Sequence, residues 1–173
     1  MSTVVVTIHI LDGQTFDLEG VRSMRENPGH VNTSPFTSYN WHGKGNFASL
    51  LDVTVLGATE VEVNFNANVV THSDGRLLHG IGGWQNRLAG KCTILPIPSC
   101  RDRIPVVVDE VTTLSGPGEL IDVIVTERGI AINPLREDLL AKLRGSSLPL
   151  QTIAELTGEV EEICGGPPRK PEL

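Results

Sequence analysis

The sequence predicts an α/β fold, with a mixed, strand-rich sheet in the middle and helices at the C-terminal end. The same pattern also allows an α+β arrangement. Three observations lead there. Short β-branched runs crowd residues 50–132. No long helical pattern separates them, so a regular β/α alternation is absent. After Asn133 the apolar spacing becomes helical.

In chain order, residues 4–10 are β-branched and read as a strand. Between Phe16 and Arg25, Leu18, Val21 and Met24 recur at a spacing of three, as on a short helix. Residues 26–47 are rich in Asn, Pro, Gly and Ser and read as a long irregular segment. "LLDVTVLGA" is a continuous apolar run, the pattern of a strand buried on both faces. "EVEVNFNANVV" alternates, which places Val61, Val63, Phe65 and Ala67 on one face. "SDG" at 73–75 and "GPGE" at 116–119 are turns. "KCTILPI" and "IPVVVDEVTTL" read as strands, and "LIDVIVTERGIAI" as two more, broken at Arg128 and Gly129. Asn133 and Pro134 look like the cap and first position of a helix whose stripe is Leu135, Leu139, Leu140 and Leu143. Thr152 and Glu155 form a capping-box pattern for a last helix with Ile153, Leu156, Val160 and Ile163 on one face. Residues 166–173 read as an extended tail. We expect residues 1–173 to form one domain, with no internal repeat.

Composition excludes several functions. A net charge of -7 with scattered basic residues argues against a nucleic-acid surface. No apolar run approaches ~18 residues, so no membrane span is expected. The N-terminus lacks the basic region of a signal peptide, and the cytoplasm is the expected location. Cys92, Cys100 and Cys164 show no metal spacing and read as reduced, buried thiols. His9, His30, His42, His72 and His79 form no ligand pair, so no metal site is expected.

Three segments place polar or glycine residues at strand ends, where open α/β sheets bind ligands. The first is Gly57 to Glu60, including Thr59, followed by Asn64, Asn66 and Asn68. The second is "HGIGGWQNRLAGK", residues 79–91. The third is Thr126 to Gly129. Gly80, Gly82 and Gly83 could bring backbone N–H groups onto a phosphate or an oxyanion, since glycine has no Cβ. A tight turn explains the same residues equally well. The spacing fits neither the dinucleotide fingerprint nor a Walker loop. Glu60 could serve as acid, base or orienting carboxylate, or be a solvated charge. Asn64 and Asn66 could line a pocket or face solvent. Glu127, Arg128 and Arg136 could bind an anion, though surface ion pairs are the commoner outcome.

Taken in order, "SLLDVTVLGATEVEVNFNANV", "GIGG", "KCTI" and "RIPVVVDEVTTLSGPGELIDVIVTERGIAINPLREDLL" resemble the C-terminal part of the citrate lyase α subunit family. "FDLEGVRSMRENPGH" fits the same pattern, and the resemblance covers roughly residues 16–172. An "LGA" strand end, the glycine loop and the "VTERGIA" stretch also echo the wider CoA-transferase superfamily. Family members are much longer and carry two similar α/β halves, with the active site between them. The family has a histidine and an aspartate in its glycine loop. Here those positions hold Trp84 and Asn86.

The resemblance implies a CoA-transferase-like fold and exchange of acetyl for citryl on a CoA or acyl-carrier-protein thioester. It implies no tightly bound cofactor. The substrate would be acyl-CoA or the phosphopantetheine-type arm of a carrier protein. The implied partners are the β (lyase) and γ (acyl carrier) subunits and further copies of the chain. It makes the backbone of Gly82 and Gly83 the candidate oxyanion donors. Glu60 joins them as a catalytic candidate, expected in the polar wall and not as a nucleophile. Thr59, Asn64, Asn66, Gly80, Thr126 and Glu127 are the candidates for binding substrate or CoA. The alternatives are a catalytically inactive remnant that keeps the fold as an assembly or binding module, and a thioester hydrolase or isomerase.

Overall fold

The computed structural model describes residues 10–12, 17–32 and 50–168. The chain divides into two compact units, Met1–Ala48 and Ser49–Leu173.

The first unit is a small β–α–β arrangement. Strand β1 (Ile10–Asp12) runs parallel to β2 (His30–Asn32), and helix α1 (Leu18–Glu26) connects them. Asp17 caps α1 because its carboxylate accepts the Gly20 N–H at 2.7 Å, filling one of the donors a helix start leaves open. The helix expected from Phe16 to Arg25 is therefore present, but none of its residues is buried. The segment read as irregular from residue 26 contains β2. The rest of it from residue 33, and the strand residues before Ile10, lie outside the described residues.

Among the described residues the second unit holds three sheets. Its strands are β3 (Thr54–Val55), β4 (Glu60–Glu62), β5 (Ala67–Asn68), β6 (Thr93–Pro96), β7 (Cys100–Arg101), β8 (Ile104–Pro105), β9 (Val107–Val108), β10 (Val123–Val125), β11 (Ile130–Ile132) and β12 (Leu150–Gln151). Its helices are α2 (Trp84–Arg87), α3 (Glu137–Leu143) and α4 (Ile153–Cys164). The main sheet has the order β12-β11-β10-β6-β3. β3, β6 and β10 are mutually parallel, and β11 returns antiparallel to β10 through the turn at 126–129. A smaller sheet has the order β5-β4-β9, and β7 pairs with β8 as a hairpin.

The core lies between these sheets and α4. Val61, Phe65, Ala67, Leu95, Val107, Ile124, Leu156 and Val160 are essentially inaccessible. α4 packs on β8, β9 and β11. It begins where the sequence places it: Thr152 accepts the Glu155 N–H, and Glu155 accepts the Thr152 N–H in return. It ends at Gly165, which takes a left-handed conformation at φ 87°.

Four expectations need correction. The run "LLDVTVLGA" forms only a two-residue strand, and Val53 and Val55 are half exposed, because β3 stands at the sheet edge. "EVEVNFNANVV" is not one strand. It folds back on itself between β4 and β5, where Phe65 takes φ 65° and the Phe65 N–H reaches the Glu62 carbonyl. Burial of the Phe65 ring holds that strained backbone in place. Asn133 does not cap a helix. Its amide NH2 donates back to the Gly118 and Ile121 carbonyls at 2.8 and 2.7 Å, its oxygen accepts the Leu135 N–H at 3.0 Å to close a turn, and α3 starts later, at Glu137. The leucine stripe assigned to that helix stays largely outside the core: no residue of α3 is buried, and Leu135 is exposed. The far end of the predicted tail, residues 169–173, lies outside the described residues.

Candidate functional site

Because β3, β6 and β10 are parallel, their carboxyl ends share one edge of the sheet. The segments leaving that edge are Leu56 to Glu60, Ile97 to Arg101 and Thr126 to Gly129. Arg101 ties the first two together. Its guanidinium donates to the Ala58 and Thr59 carbonyls, both at 2.8 Å. The second and third meet at Ser99 and Glu127. The Ser99 N–H donates to Glu127 at 3.0 Å, the Ser99 hydroxyl donates to the same carboxylate, and Arg128 donates to the Ser99 hydroxyl at 2.9 Å. Burial pushes the Glu127 carboxyl up. The Ser99 hydrogen bonds and the Arg128 charge outweigh it and hold the group below the usual carboxylate range. Thr126 closes its own turn, accepting the Arg128 and Gly129 N–H groups at 3.1 Å.

The glycine loop joins the same edge through Trp84. Its indole N–H donates to the Gly57 carbonyl at 2.8 Å. Its ring also lies against Gly116, where a Cβ would come within 2.3 Å of it. Gln85 adds a 2.6 Å bond to the Ser115 carbonyl. Gly82 adopts φ 56°, which favours glycine, and the space beside Gly80 and Gly82 is open. Among the described residues, neither the Gly82 nor the Gly83 N–H makes a backbone hydrogen bond. The segment is thus a turn leading into the single helical turn α2, with two backbone donors left available.

Glu60 has a different setting. It is buried, and one carboxylate oxygen accepts the Asn68 amide at 2.8 Å and the Thr112 N–H at 3.0 Å. Glu62, which points to the same side of β4, accepts from Asn66 and from the Val111 N–H at 2.9 Å. Asn66 in turn accepts the Gly118 N–H at 2.7 Å. These side chains fasten the 111–118 loop to the smaller sheet. Asn64 is exposed, and its carbonyl sits where a Cβ on Gly118 would be. The Thr59 hydroxyl donates to the Asn68 and Thr71 carbonyls. The structure therefore places Thr59, Thr126 and Glu127 on segments leaving one sheet edge, and ties the loop that carries Gly80, Gly82 and Gly83 to the first of them through Trp84 and Gly57. It places Glu60 and Asn66 in the framework behind it.

Arg128 and Arg136 are held in ion pairs, Arg128 with Glu159 at 3.4 Å and Arg136 with Asp122 at 2.7 Å. The residues missed from sequence are Ser99 and Arg101, which join the strand-end segments. The one available signal was the charged stretch "CRDR", whose Asp102 takes a positive φ to turn the β7–β8 hairpin. A cleft of about 780 Å³ opens beside Arg101, lined also by Thr59, His72, Arg76, Arg103 and Cys164. Among the described residues no group of three or more acidic, histidine or cysteine side chains could hold a metal ion. None of the described helices is long and apolar enough to cross a membrane.

Comparison with known proteins decides the family. The family model "Citrate lyase, alpha subunit (CitF)" matches residues 3–171. The chain belongs to the citrate lyase alpha subunit family. It is 42% identical over 91% of its length to the citrate lyase alpha chain of Klebsiella pneumoniae, and 38% identical over the same share to that of Escherichia coli K12. Each match covers 31% of the relative, so the chain spans about a third of the length of these curated proteins. A crystal structure of the putative citrate lyase alpha subunit of Streptococcus mutans, solved in complex with citrate, superposes with a TM-score of 0.89. That match is 39% identical and covers 93% of this chain and 32% of the other. The mixed α/β architecture is thus the CoA-transferase-like fold of the citrate lyase alpha subunit. In this chain Trp84 is an anchor: it locks the glycine loop to Gly57 and Gly116 without offering a proton for transfer.

Proposed function

We propose that the chain contributes an acyl-thioester site for exchange of acetyl for citryl, as part of a citrate lyase alpha-type transferase. The observation that carries this reading is the open pair of N–H groups at Gly82 and Gly83, fixed beside the carboxyl ends of the parallel strands in a chain of this family. The substrate would be acyl-CoA or the phosphopantetheine-type arm of a carrier protein. A citrate carboxylate attacks the acetyl thioester carbonyl, a tetrahedral oxyanion forms, and it collapses to a mixed anhydride and a thiolate. The thiolate then attacks the citryl carbonyl and releases acetate. Each step needs donors aimed at the developing oxyanion, and one such donor is typically worth ~3–4 kcal/mol. Gly82 and Gly83 supply them from the backbone. Gly80, Thr59, Thr126 and Glu127 form the wall around the thioester. Glu60, Asn64 and Asn66 shape that wall from behind. The lyase and acyl-carrier subunits are the partners of this reading, with further copies of the chain, in the cytoplasm.

The test is calorimetric titration of the chain with acetyl-CoA, followed by citrate-dependent acetyl exchange on the same sample and on Gly83→Pro. Gly83→Pro removes the N–H; Gly83 at φ -86° lies just outside the range of proline and Gly82 before it is at φ 56°, so the fold of the variant is checked before its rate is read. We expect saturable binding, and exchange at least tenfold slower in the folded variant, about 1.4 kcal/mol of barrier. A folded Gly83→Pro that exchanges at nearly the original rate would remove Gly83 from the oxyanion role. A well-folded chain that binds no acetyl-CoA would remove the site.

A further inference from the structure

We propose that the cleft beside Arg101 is a binding site for a small polyanion, a ligand carrying two or more carboxylate or phosphate groups. The cleft has a volume of about 780 Å³, room for a small molecule. Three parts of the second unit wall it: the turn that closes between Thr71 and Leu77, the β7–β8 hairpin, and the residues that follow α4. Arg76 comes from the first wall, and Arg101 and Arg103 come from the second. The charge there runs against the rest of the chain. The whole sequence holds 14 basic and 21 acidic side chains, whereas the cleft wall has three arginines and two aspartates. No residue of the glycine loop lines the cleft, so this site stands apart from the proposed oxyanion donors.

Arg101 is the fixed member of the set. Its two terminal nitrogens donate to the Thr59 and Ala58 carbonyls, both at 2.8 Å. Those carbonyls are neutral, so the bonds hold the fork in place while its charge and its remaining N–H donors are left for a ligand. Arg103 stands just past Asp102, whose φ of 54° turns the hairpin. Among the described residues the Arg103 side chain has no hydrogen bond or ion pair. Arg76 meets the Asp74 carboxylate only at 3.9 Å, with both side chains exposed, a contact that water screens. That carboxylate instead accepts the Arg76 backbone N–H at 3.0 Å and closes its own turn. With Asp74 and Asp102 on the wall, an anion of single charge gains little. A ligand with two or more negative groups can engage Arg101, Arg103 and Arg76 together. Arginine suits carboxylate and phosphate oxygens alike, because its planar fork donates in pairs.

The experiment titrates the full chain with two probes that cannot undergo acyl transfer, inorganic pyrophosphate and propane-1,2,3-tricarboxylate. Binding is read by calorimetry and by amide NMR. We expect at least one probe to bind saturably, to bind more weakly as salt is added, and to shift amides at 72–76 and 101–104. Pyrophosphate alone would assign the cleft to a phosphate-bearing ligand, and the tricarboxylate alone to a carboxylate one. Arg103→Gln should weaken binding by about tenfold or more, since hydrogen bonds to a charged group are lost. Arg144→Gln removes the same charge outside the cleft and should change binding by less than about twofold. Failure of both probes to saturate the folded chain would overturn the proposal. So would equal losses in the two variants, or amide shifts confined to residues outside the cleft. The shifts on the unaltered chain decide the matter even if a variant fails to fold. Acetyl-CoA has no part in this titration, so the thioester reading can fail without altering its outcome.

Discussion

Trp84 and Gly116 are matched to one another at the scale of single residues. The indole occupies the space a side chain at 116 would need, so Gly116→Ala must displace the ring or the turn. We expect it to destabilise the fold by about 1–3 kcal/mol, as overpacking does, measured by the denaturant midpoint. Gly118 is tighter still, since its Cβ would lie 2.0 Å from the Asn64 carbonyl, which is backbone and cannot rotate away. Gly118→Ala should cost more than Gly116→Ala in the same assay, and equal midpoints would contradict this packing. The buried Glu60 gives another prediction. Glu60→Ala removes the acceptor of the Asn68 amide and the Thr112 N–H, so roughly 1–3 kcal/mol should be lost. A neutral Glu60→Ala would show that the carboxylate does not fasten the 111–118 loop. The glycine pattern and the "TERGIA" turn were visible in the sequence. The burial of Glu60 was not, because its partners at 68 and 112 come from other segments and no local pattern announces them.

Among the elements, α4 was the most readable and α3 the least. Helix α4 combines a local cap with an apolar stripe that meets a sheet, so local and tertiary signals agree. Thr152→Ala should lower stability by ~1 kcal/mol through loss of the cap, seen in thermal or denaturant unfolding. At α3 the local signal closes a turn and not the helix: the Asn133 oxygen accepts the Leu135 N–H while its NH2 donates to the Gly118 and Ile121 carbonyls, and the helix begins after Arg136. Arg136 there pairs with Asp138, whose carboxyl is lowered to about 2 from an ordinary 3.8. A carboxyl lowered by folding adds stability above its unfolded pKa and loses that contribution as pH falls through the folded one. The Asp138 contribution should therefore fade between about pH 4 and pH 2. In acid titrations of stability, Asp138→Asn should flatten that part of the profile. An unchanged slope would show that the pair does not form in solution.

Across the whole molecule, burial is uneven. Helix α1 in the first unit buries no residue, whereas α4 in the second buries Ile153, Leu156, Thr157 and Val160. Amide hydrogen exchange should therefore run at least roughly a hundredfold faster in α1 than in α4. Similar protection in both helices would mean that α1 is held by contacts beyond its own residues. The strand-rich middle and the C-terminal helix were foreseeable from apolar runs and caps; the parallel pairing of β3, β6 and β10 was not. Nor was the division of the strands into three sheets, because runs of two or three residues carry no register of their own. The central claim is that the glycine loop and the carboxyl ends of β3, β6 and β10 form one acyl-thioester site. Its most direct test is an amide NMR titration of the chain with acetyl-CoA. The account predicts saturable shifts concentrated at Gly82, Gly83, Gly57 to Thr59 and Thr126 to Glu127. Saturable binding that leaves those amides unmoved and shifts residues elsewhere would contradict it.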